Sequence, residues 1–294
     1  MRDFGRVLTA MVTPFTQSGD VDYAAAEKLA LRLLERGSDG LVVGGSTGEA
    51  ATLSKEEKLK LFKVVLDAVG ERGCVIAGTG SNDTRQSIEM TQAAEAIGVH
   101  GAMLVGPYYN KPTQEGFYQH FKAIADNSSL PLLLYNVPGR TASNIMPSTI
   151  ARLAKLPNIK ALKESSGNLE QITEIRSLTP PEFKIYSGDD SLTLPILAVG
   201  GIGIISVAAH VVGLQIKEMV QAFFQGEIEK AQSINCKLLP VFKAMFVCTN
   251  PIPVKTAVHW LGGCEEVFRL PLIQANETEK DVIRKAMRQA GLLK

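Results

Sequence analysis

Short runs of β-branched and aliphatic residues recur along this chain, and each is followed by a segment with helical periodicity. A helix between two strands returns the chain to the same end of the sheet, so such strands pair in parallel through crossover connections. The runs fall at residues 7–12, 40–43, 74–77, 101–105, 132–135, 159–163, 184–186 and 203–207. Eight parallel strands over about 210 residues predict an α/β fold of one kind, a closed (β/α)8 TIM barrel.

Helix punctuation supports the count. Ser54, followed three residues later by Glu57, reads as a capping box that opens the helix after the second strand. Pro147 suits the first turn of a helix, and Pro180-Pro181 stops one before the seventh strand, because proline lacks the backbone donor. Beyond residue 225 the strand pattern ends, and residues 227–246, 253–261 and 277–292 read as helices alone. The chain has 294 residues, more than the ~250 that a barrel usually needs. Residues 1–225 are therefore expected to form a catalytic (β/α)8 barrel and residues 226–294 a C-terminal helical extension. No repeat, low-complexity segment or linker separates the two, so the extension is expected to pack on the barrel.

Composition narrows the partners. The 31 Lys and Arg nearly match the 30 Asp and Glu, for a net charge of +1, and no surplus exists to attract nucleic acid or a membrane surface. The N-terminus has charges but only a short apolar run before Pro14, unlike a signal peptide, and no segment approaches the ~20 apolar residues of a membrane span. A soluble cytoplasmic enzyme of small metabolites is the expectation. Cys74, Cys236, Cys248 and Cys264 form no Cys-x-x-Cys pair and sit among apolar neighbours, as reduced core thiols do. His100, His120, His210 and His259 show no metal-ligand spacing, so no protein-bound catalytic metal is expected.

In a (β/α)8 barrel the reactive groups stand at the C-terminal ends of the strands. The second strand ends in Gly44-Gly45-Ser46-Thr47-Gly48-Glu49, the fourth in Gly106-Pro107-Tyr108-Tyr109-Asn110 and the fifth in Tyr135-Asn136-Val137-Pro138-Gly139-Arg140-Thr141. The sixth ends in Lys163-Glu164-Ser165-Ser166-Gly167 and the seventh in Ser187-Gly188-Asp189-Asp190. Alternation puts Ile159, Ala161 and Lys163 on one face. If that face is the barrel interior, desolvation moves the amine's pKa from ~10.4 toward about 7 to 8, and the free amine can attack a ketone to form an imine. A strand-end lysine can equally snorkel to water.

Tyr135 shares a face with Leu133, which brings a phenol toward the same mouth as a proton carrier or leaves it as a core aromatic. The glycine- and hydroxyl-rich turn 44–49 exposes N–H groups to an anion, without the lysine of a phosphate loop or the spacing of a dinucleotide fingerprint. Arg140 offers a planar fork to a carboxylate, or forms a surface ion pair. Asp189-Asp190 reads as the cap of the next helix, and Gly200-Gly201-Ile202-Gly203 as a tight turn into the eighth strand.

These strand ends, in this order, resemble the dihydrodipicolinate synthase family, within the wider class I aldolase group that includes N-acetylneuraminate lyase. The likeness covers essentially the whole chain, including Thr13-Pro14, Pro107-Tyr108-Tyr109-Asn110-Lys111-Pro112 and Asn250-Pro251-Ile252-Pro253-Val254-Lys255. The resemblance implies a lyase that joins pyruvate, held as a Schiff base on Lys163, to L-aspartate 4-semialdehyde. The product would be 4-hydroxy-tetrahydrodipicolinate, at the first committed step of lysine and diaminopimelate biosynthesis. It makes Lys163 the imine-forming residue and Tyr135 the proton relay, with Ser46 and a neighbouring subunit's Tyr109 completing a hydroxyl chain. Ser46 stands where threonine is common, which keeps the hydroxyl but loses a methyl that restrains the rotamer.

By the same resemblance Thr47 and Ile205 bind pyruvate, Arg140 receives the aldehyde's carboxylate, and Gly188 lies beside it. The assembly implied is a homotetramer of two tight dimers, with no metal or organic cofactor. A lysine effector site would correspond to Ala51, Lys55, Lys58, Asn82, Gln86 and Tyr108. Gln86 replaces an acid there and two lysines would repel a cationic effector, so weak or absent inhibition is expected.

Three rivals remain at this stage. Another pyruvate-dependent lyase, such as N-acetylneuraminate lyase, shares the turn 44–49, and Arg140 argues for a short carboxylated aldehyde instead. A non-catalytic metabolite-binding barrel would not need Lys163, Tyr135 and Arg140 together. A phosphate-binding isomerase barrel would carry a phosphate loop after the last two strands.

Overall fold

The structure is a computed structural model that describes residues 3–294; Met1 and Arg2, which begin the charged N-terminus, lie outside the described residues. Eight parallel strands close into a barrel in sequence order: β1 (Val7–Ala10), β2 (Gly40–Val43), β3 (Cys74–Gly78), β4 (Gly101–Val105), β5 (Leu132–Asn136), β6 (Ile159–Glu164), β7 (Lys184–Ser187) and β8 (Gly203–Ser206). The barrel closes where β1 pairs with β8, Leu8 opposite Ile205. Every predicted strand is present, although the first and last stop before the residues expected to end them.

Alternation sorts the strand residues into two clusters. Leu8, Val42, Ile76, Met103, Leu133, Ala161 and Ile205 fill the barrel interior, while their strand neighbours pack outward under the helices. Burying such side chains stabilises the fold by roughly 1.5–3 kcal/mol each before entropy is counted. Tyr186 closes the N-terminal end, donating its hydroxyl to the Gly5 carbonyl at 2.8 Å.

One expectation about faces fails. Ile159 packs in the outer cluster, not beside Ala161 and Lys163. Leu132 pairs with Ile159 but Leu133 with Ala161, so Lys160 is an extra residue in the ladder. A bulge of one residue reverses the face of everything before it. Ala161 and Lys163 lie after the bulge and keep the inward face.

The capping box forms as read: Ser54 Oγ accepts from the Glu57 N–H at 3.2 Å, and Glu57 reaches back to the Ser54 N–H at 2.8 Å. Pro147 opens the helix Pro147–Leu153 at its first turn, and the helix Leu169–Leu178 ends before Pro180. Gly200, at φ +99°, makes the turn into β8 that the glycine cluster suggested. Residues beyond β8 are helical: Ala209–Phe224, Ile228–Ala244, Ile252–Trp260 and Glu277–Gln289. The helix Ile228–Ala244 packs along Ala209–Phe224 and over the turn that follows β7.

The cysteines divide. None of the four forms a disulfide, but only Cys74 is buried, and Cys236 is exposed on the helix Ile228–Ala244. Apolar residues near in sequence do not bury a helical residue, because each step turns it by about 100° to another face. Cys236 stands between the polar Asn235 and Lys237.

Candidate active site

Lys163 lies near the C-terminal end of β6, opposite Tyr135 of β5 and Tyr186 of β7 in the ladder. Only 4% of it is exposed, and it lines a cavity of about 480 Å³ at the barrel mouth. Burial lowers the amine's pKa to about 8, with Arg140 adding to the effect and Asp190 opposing it. Among the described residues no carboxylate lies within ion-pair distance of its Nζ. The result is an amine held partly neutral by burial, the state in which nitrogen attacks a carbonyl. Its side chain fits because residue 188 is glycine: a Cβ there would stand 2.9 Å from Lys163 Cε and 1.9 Å from Ser165 Oγ.

Tyr135 borders the same cavity, with the Lys163 Nζ 4.4 Å from its ring centroid. Burial raises its pKa, so the phenol keeps its proton and can deliver or receive it through the hydroxyl. Thr47, 3% exposed, forms part of the wall, and its Oγ1 accepts from Asn250 Nδ2 at 2.9 Å. Arg140 comes from the short helix Pro138–Thr141. Its guanidinium donates to the Asn250 carbonyl at 3.0 Å and lines the cavity, in place of the surface ion pair that sequence also allowed.

Lys163, Tyr135, Thr47, Arg140 and Gly188 are thus brought to one cavity. Other expected site residues are not. Ser46 lines a second cavity of about 350 Å³, which shares Tyr135, Val137, Arg140 and Asn250 with the first. Tyr109 is 91% exposed, with φ +72°, and lines neither cavity. Ile205 belongs to the barrel interior. Of the effector positions, Ala51, Lys58 and Tyr108 line the second cavity, and Asn82 donates to the Tyr108 carbonyl at 3.2 Å. Gln86 and Lys55 are exposed on their helices.

The aspartate pair departs from its sequence reading. Asp190 does not cap the short helix that follows it. Its buried carboxylate accepts the N–H groups of Val207 and Ala208 at 3.1 and 3.0 Å, together with the Ser206 hydroxyl. It therefore holds the end of β8, where Val207 forms cavity wall. Proximity in sequence suggested the nearer helix; the unpaired N–H groups of the next βα turn win because barrel closure brings them against β7.

Sequence reasoning missed most of the wall that the extension supplies. Phe242, Lys243, Phe246 and Asn250 complete the cavity, as does Ser165 from the end of β6. Asn250 is the most connected, joining Thr47 to Arg140 through its amide and its carbonyl. No periodic signal points to it, since it lies between two helices.

A lysine amine desolvated inside the mouth of a (β/α)8 barrel, with a phenol beside it, defines a class: the Schiff-base-forming lyases of the aldolase type. The particular family follows from comparison with known proteins. The chain belongs to the dihydrodipicolinate synthetase family, whose model matches residues 3–290. It is 55% identical, over 294 residues and all of both chains, to a 4-hydroxy-tetrahydrodipicolinate synthase of Cyanothece sp.. Among solved structures it is similar to the synthase of Cyanidioschyzon merolae with lysine bound, with a TM-score of 0.97, 49% identity and 99% of each chain covered. A chloride-inhibited synthase from Acinetobacter baumannii, complexed with pyruvate, matches with a TM-score of 0.96, 39% identity and coverage of 99% of this chain and 100% of that one.

Among the described residues no helix is long and apolar enough to cross a membrane, and no group of three or more His, Cys, Asp or Glu is placed to hold a metal ion.

Proposed function

We infer that this protein is a 4-hydroxy-tetrahydrodipicolinate synthase, condensing pyruvate with L-aspartate 4-semialdehyde in lysine and diaminopimelate biosynthesis. Full-length relatives at more than half identity carry that name. The observation that carries the chemistry is the desolvated Lys163, with its pKa near 8. The Lys163 amine attacks the pyruvate ketone, and the carbinolamine loses water to give an imine. Tyr135 donates and withdraws the protons of these steps. Loss of a methyl proton gives an enamine, which attacks the aldehyde carbon of the second substrate. That substrate's amine then displaces Lys163 by transimination, closing the ring and freeing the enzyme.

Thr47 holds the pyruvate carboxylate, Arg140 receives the carboxylate of the aldehyde, and Gly188 gives both Lys163 and the aldehyde room. Ile205 supports the pyruvate end from the barrel interior. The protonated imine is itself the electron sink for the carbanion, so the reaction as written calls for no metal or organic cofactor. Ser46 and a neighbouring subunit's Tyr109 extend the relay from Tyr135. That role requires an assembly, and we take it to be a homotetramer built from two tight dimers in the cytoplasm. The exposure of Tyr109 supports this reading, since a 91% exposed tyrosine has no place in the site of its own chain. The barrel of residues 1–225 then carries the reactive groups, and the extension of residues 226–294 closes one side of their cavity.

Turnover of pyruvate with aspartate semialdehyde, set against cleavage of N-acetylneuraminate, tests the reading. Ring product from the first pair and no cleavage of the second is the expected result. The reverse would assign the chain to the sugar-acid lyases.

A further inference from the structure

Lys163 is not the only lysine removed from water. Lys255, in the helix Ile252–Trp260, is 0% exposed, and its Nζ meets Glu49 Oε1 at 2.5 Å. The two residues stand 206 positions apart, one ending the turn 44–49 that carries Thr47 and the other in the extension that carries Asn250. Each partner is further tied down. Lys255 donates to the Val267 carbonyl at 2.8 Å and lies 4.1 Å from the centroid of the Phe15 ring. Glu49 Oε2 accepts the backbone N–H of Arg269 at 3.3 Å.

The Glu49 backbone is left-handed, at φ 54° and ψ 36°, a conformation that glutamate seldom adopts and that persists only where its surroundings impose it. The turn before it is closed by short hydrogen bonds, Gly48 N–H to Gly45 O at 3.0 Å and Glu49 N–H to Ser46 O at 3.1 Å. A change in the Glu49 conformation is therefore passed directly to Thr47, two residues away. At the other end of the pair, Asn250 precedes Lys255 by five residues, and the Lys255 N–H bonds to the Pro251 carbonyl at 2.9 Å. The ion pair thus fixes both sides of the contact between Asn250 Nδ2 and Thr47 Oγ1.

We propose that the buried Glu49–Lys255 pair is a positioning device for pyruvate: it locks the turn 44–49 to the C-terminal extension so that Thr47 and Asn250 stand in register at the carboxylate end of the cavity. The inference rests on the reading that Thr47 holds that carboxylate. Neither residue of the pair lines the cavity that holds Lys163, although Glu49 borders the adjoining second cavity, and both act on pyruvate through Thr47 and Asn250. The two buried lysines differ in their surroundings: Lys255 has a carboxylate in contact, whereas among the described residues Lys163 has none.

Removing one partner would leave a buried unpaired charge and damage the fold for reasons unrelated to pyruvate. Replacing both by uncharged groups of similar shape is often neutral for stability, which separates positioning from simple structural support. The test is the double variant Glu49→Gln/Lys255→Met, assayed for its melting temperature, its KM for pyruvate and its kcat at saturating pyruvate. Loss of ground-state positioning is expected to raise KM for pyruvate about fivefold or more, with kcat changed by less than about threefold. A folded double variant whose KM rises by less than about fivefold would overturn the proposal.

If the double variant does not fold, Glu49→Asp decides. It keeps the charge and tolerates the left-handed backbone but shortens the reach to Lys255, and the same threshold applies. Borohydride trapping of pyruvate on the wild-type protein is the control. Trapping at Lys163 with unchanged variants removes this inference alone, whereas no trapping removes the reading of the site and this inference with it.

Discussion

The Lys163 amine lies over the face of the Tyr135 ring, Nζ 4.4 Å from the centroid, on two strands that pair directly through these residues. Register alone brings them together, because parallel neighbours place matched positions on the same face. The ring covers the amine and helps to exclude water, while in the proposed mechanism the hydroxyl handles protons. These two contributions can be separated. Tyr135→Phe keeps the cover and removes the proton carrier. It is expected to slow imine formation by about 10² or more, the usual scale of general acid–base catalysis, with Lys163 still reactive given time. Stopped-flow measurement of imine formation checks this, and a rate within about threefold of the wild type would remove Tyr135 from the relay.

The pKa of Lys163 sets a pH dependence. With a value of about 8, roughly a tenth of the protein carries free amine at pH 7. Only the unprotonated amine attacks, so the rate of imine formation should rise about tenfold per unit below pH 8 and level off above it. An ordinary lysine would keep rising to about 10.5. A pre-steady-state profile from pH 6 to 10 distinguishes the two, and a bend near 10 would mean that the pocket does not desolvate the amine.

Gly188→Ala should abolish imine formation while the barrel still folds. The new Cβ would collide with Ser165 Oγ at 1.9 Å and crowd Lys163 at Cε and Cγ, displacing the amine from its position. Pyruvate trapping at wild-type yield would show that the lysine can take another path. Circular dichroism of the variant confirms that the barrel itself is retained.

Arg140 acts on the second substrate in this account. Losing a hydrogen bond to a charged group costs about 1.5–3 kcal/mol, so Arg140→Ala should raise KM for aspartate semialdehyde roughly 10- to 100-fold. Trapping of pyruvate should change little. Weakened pyruvate trapping would instead point to disruption through Asn250, whose carbonyl Arg140 holds.

Inhibition by lysine is expected to be weak or absent. Lys58 lines the second cavity with Ala51 and Tyr108, where it would repel a cationic effector, and Gln86 lacks the charge to attract one. Titrating the purified protein with lysine at micromolar levels is the check. Strong inhibition there would overturn this expectation.

Much of the barrel and half of the site could be read from spacing, because both follow local rules. Lys163 and Tyr135 were legible as inward residues at strand ends, a consequence of period-two alternation. Ile159 was misplaced by the same rule, since nothing in the local sequence marks Lys160 as a bulge. Asp190 was assigned to the wrong helix because its true partners, Val207 and Ala208, are chosen by barrel closure. Asn250, Phe242 and the Glu49–Lys255 pair were invisible for a related reason: the extension meets the barrel mouth through contacts more than a hundred residues apart in sequence. The family resemblance covered the segment 250–255 but did not reveal what it touches.

Every step of the proposed mechanism depends on an imine between pyruvate and Lys163. Reduction with borohydride in the presence of pyruvate, followed by peptide mass mapping, tests it most directly. A single reduced pyruvyl adduct on Lys163, with the buried Lys255 unmodified, is the expected result. An adduct on any other lysine, or none at all, would contradict the account.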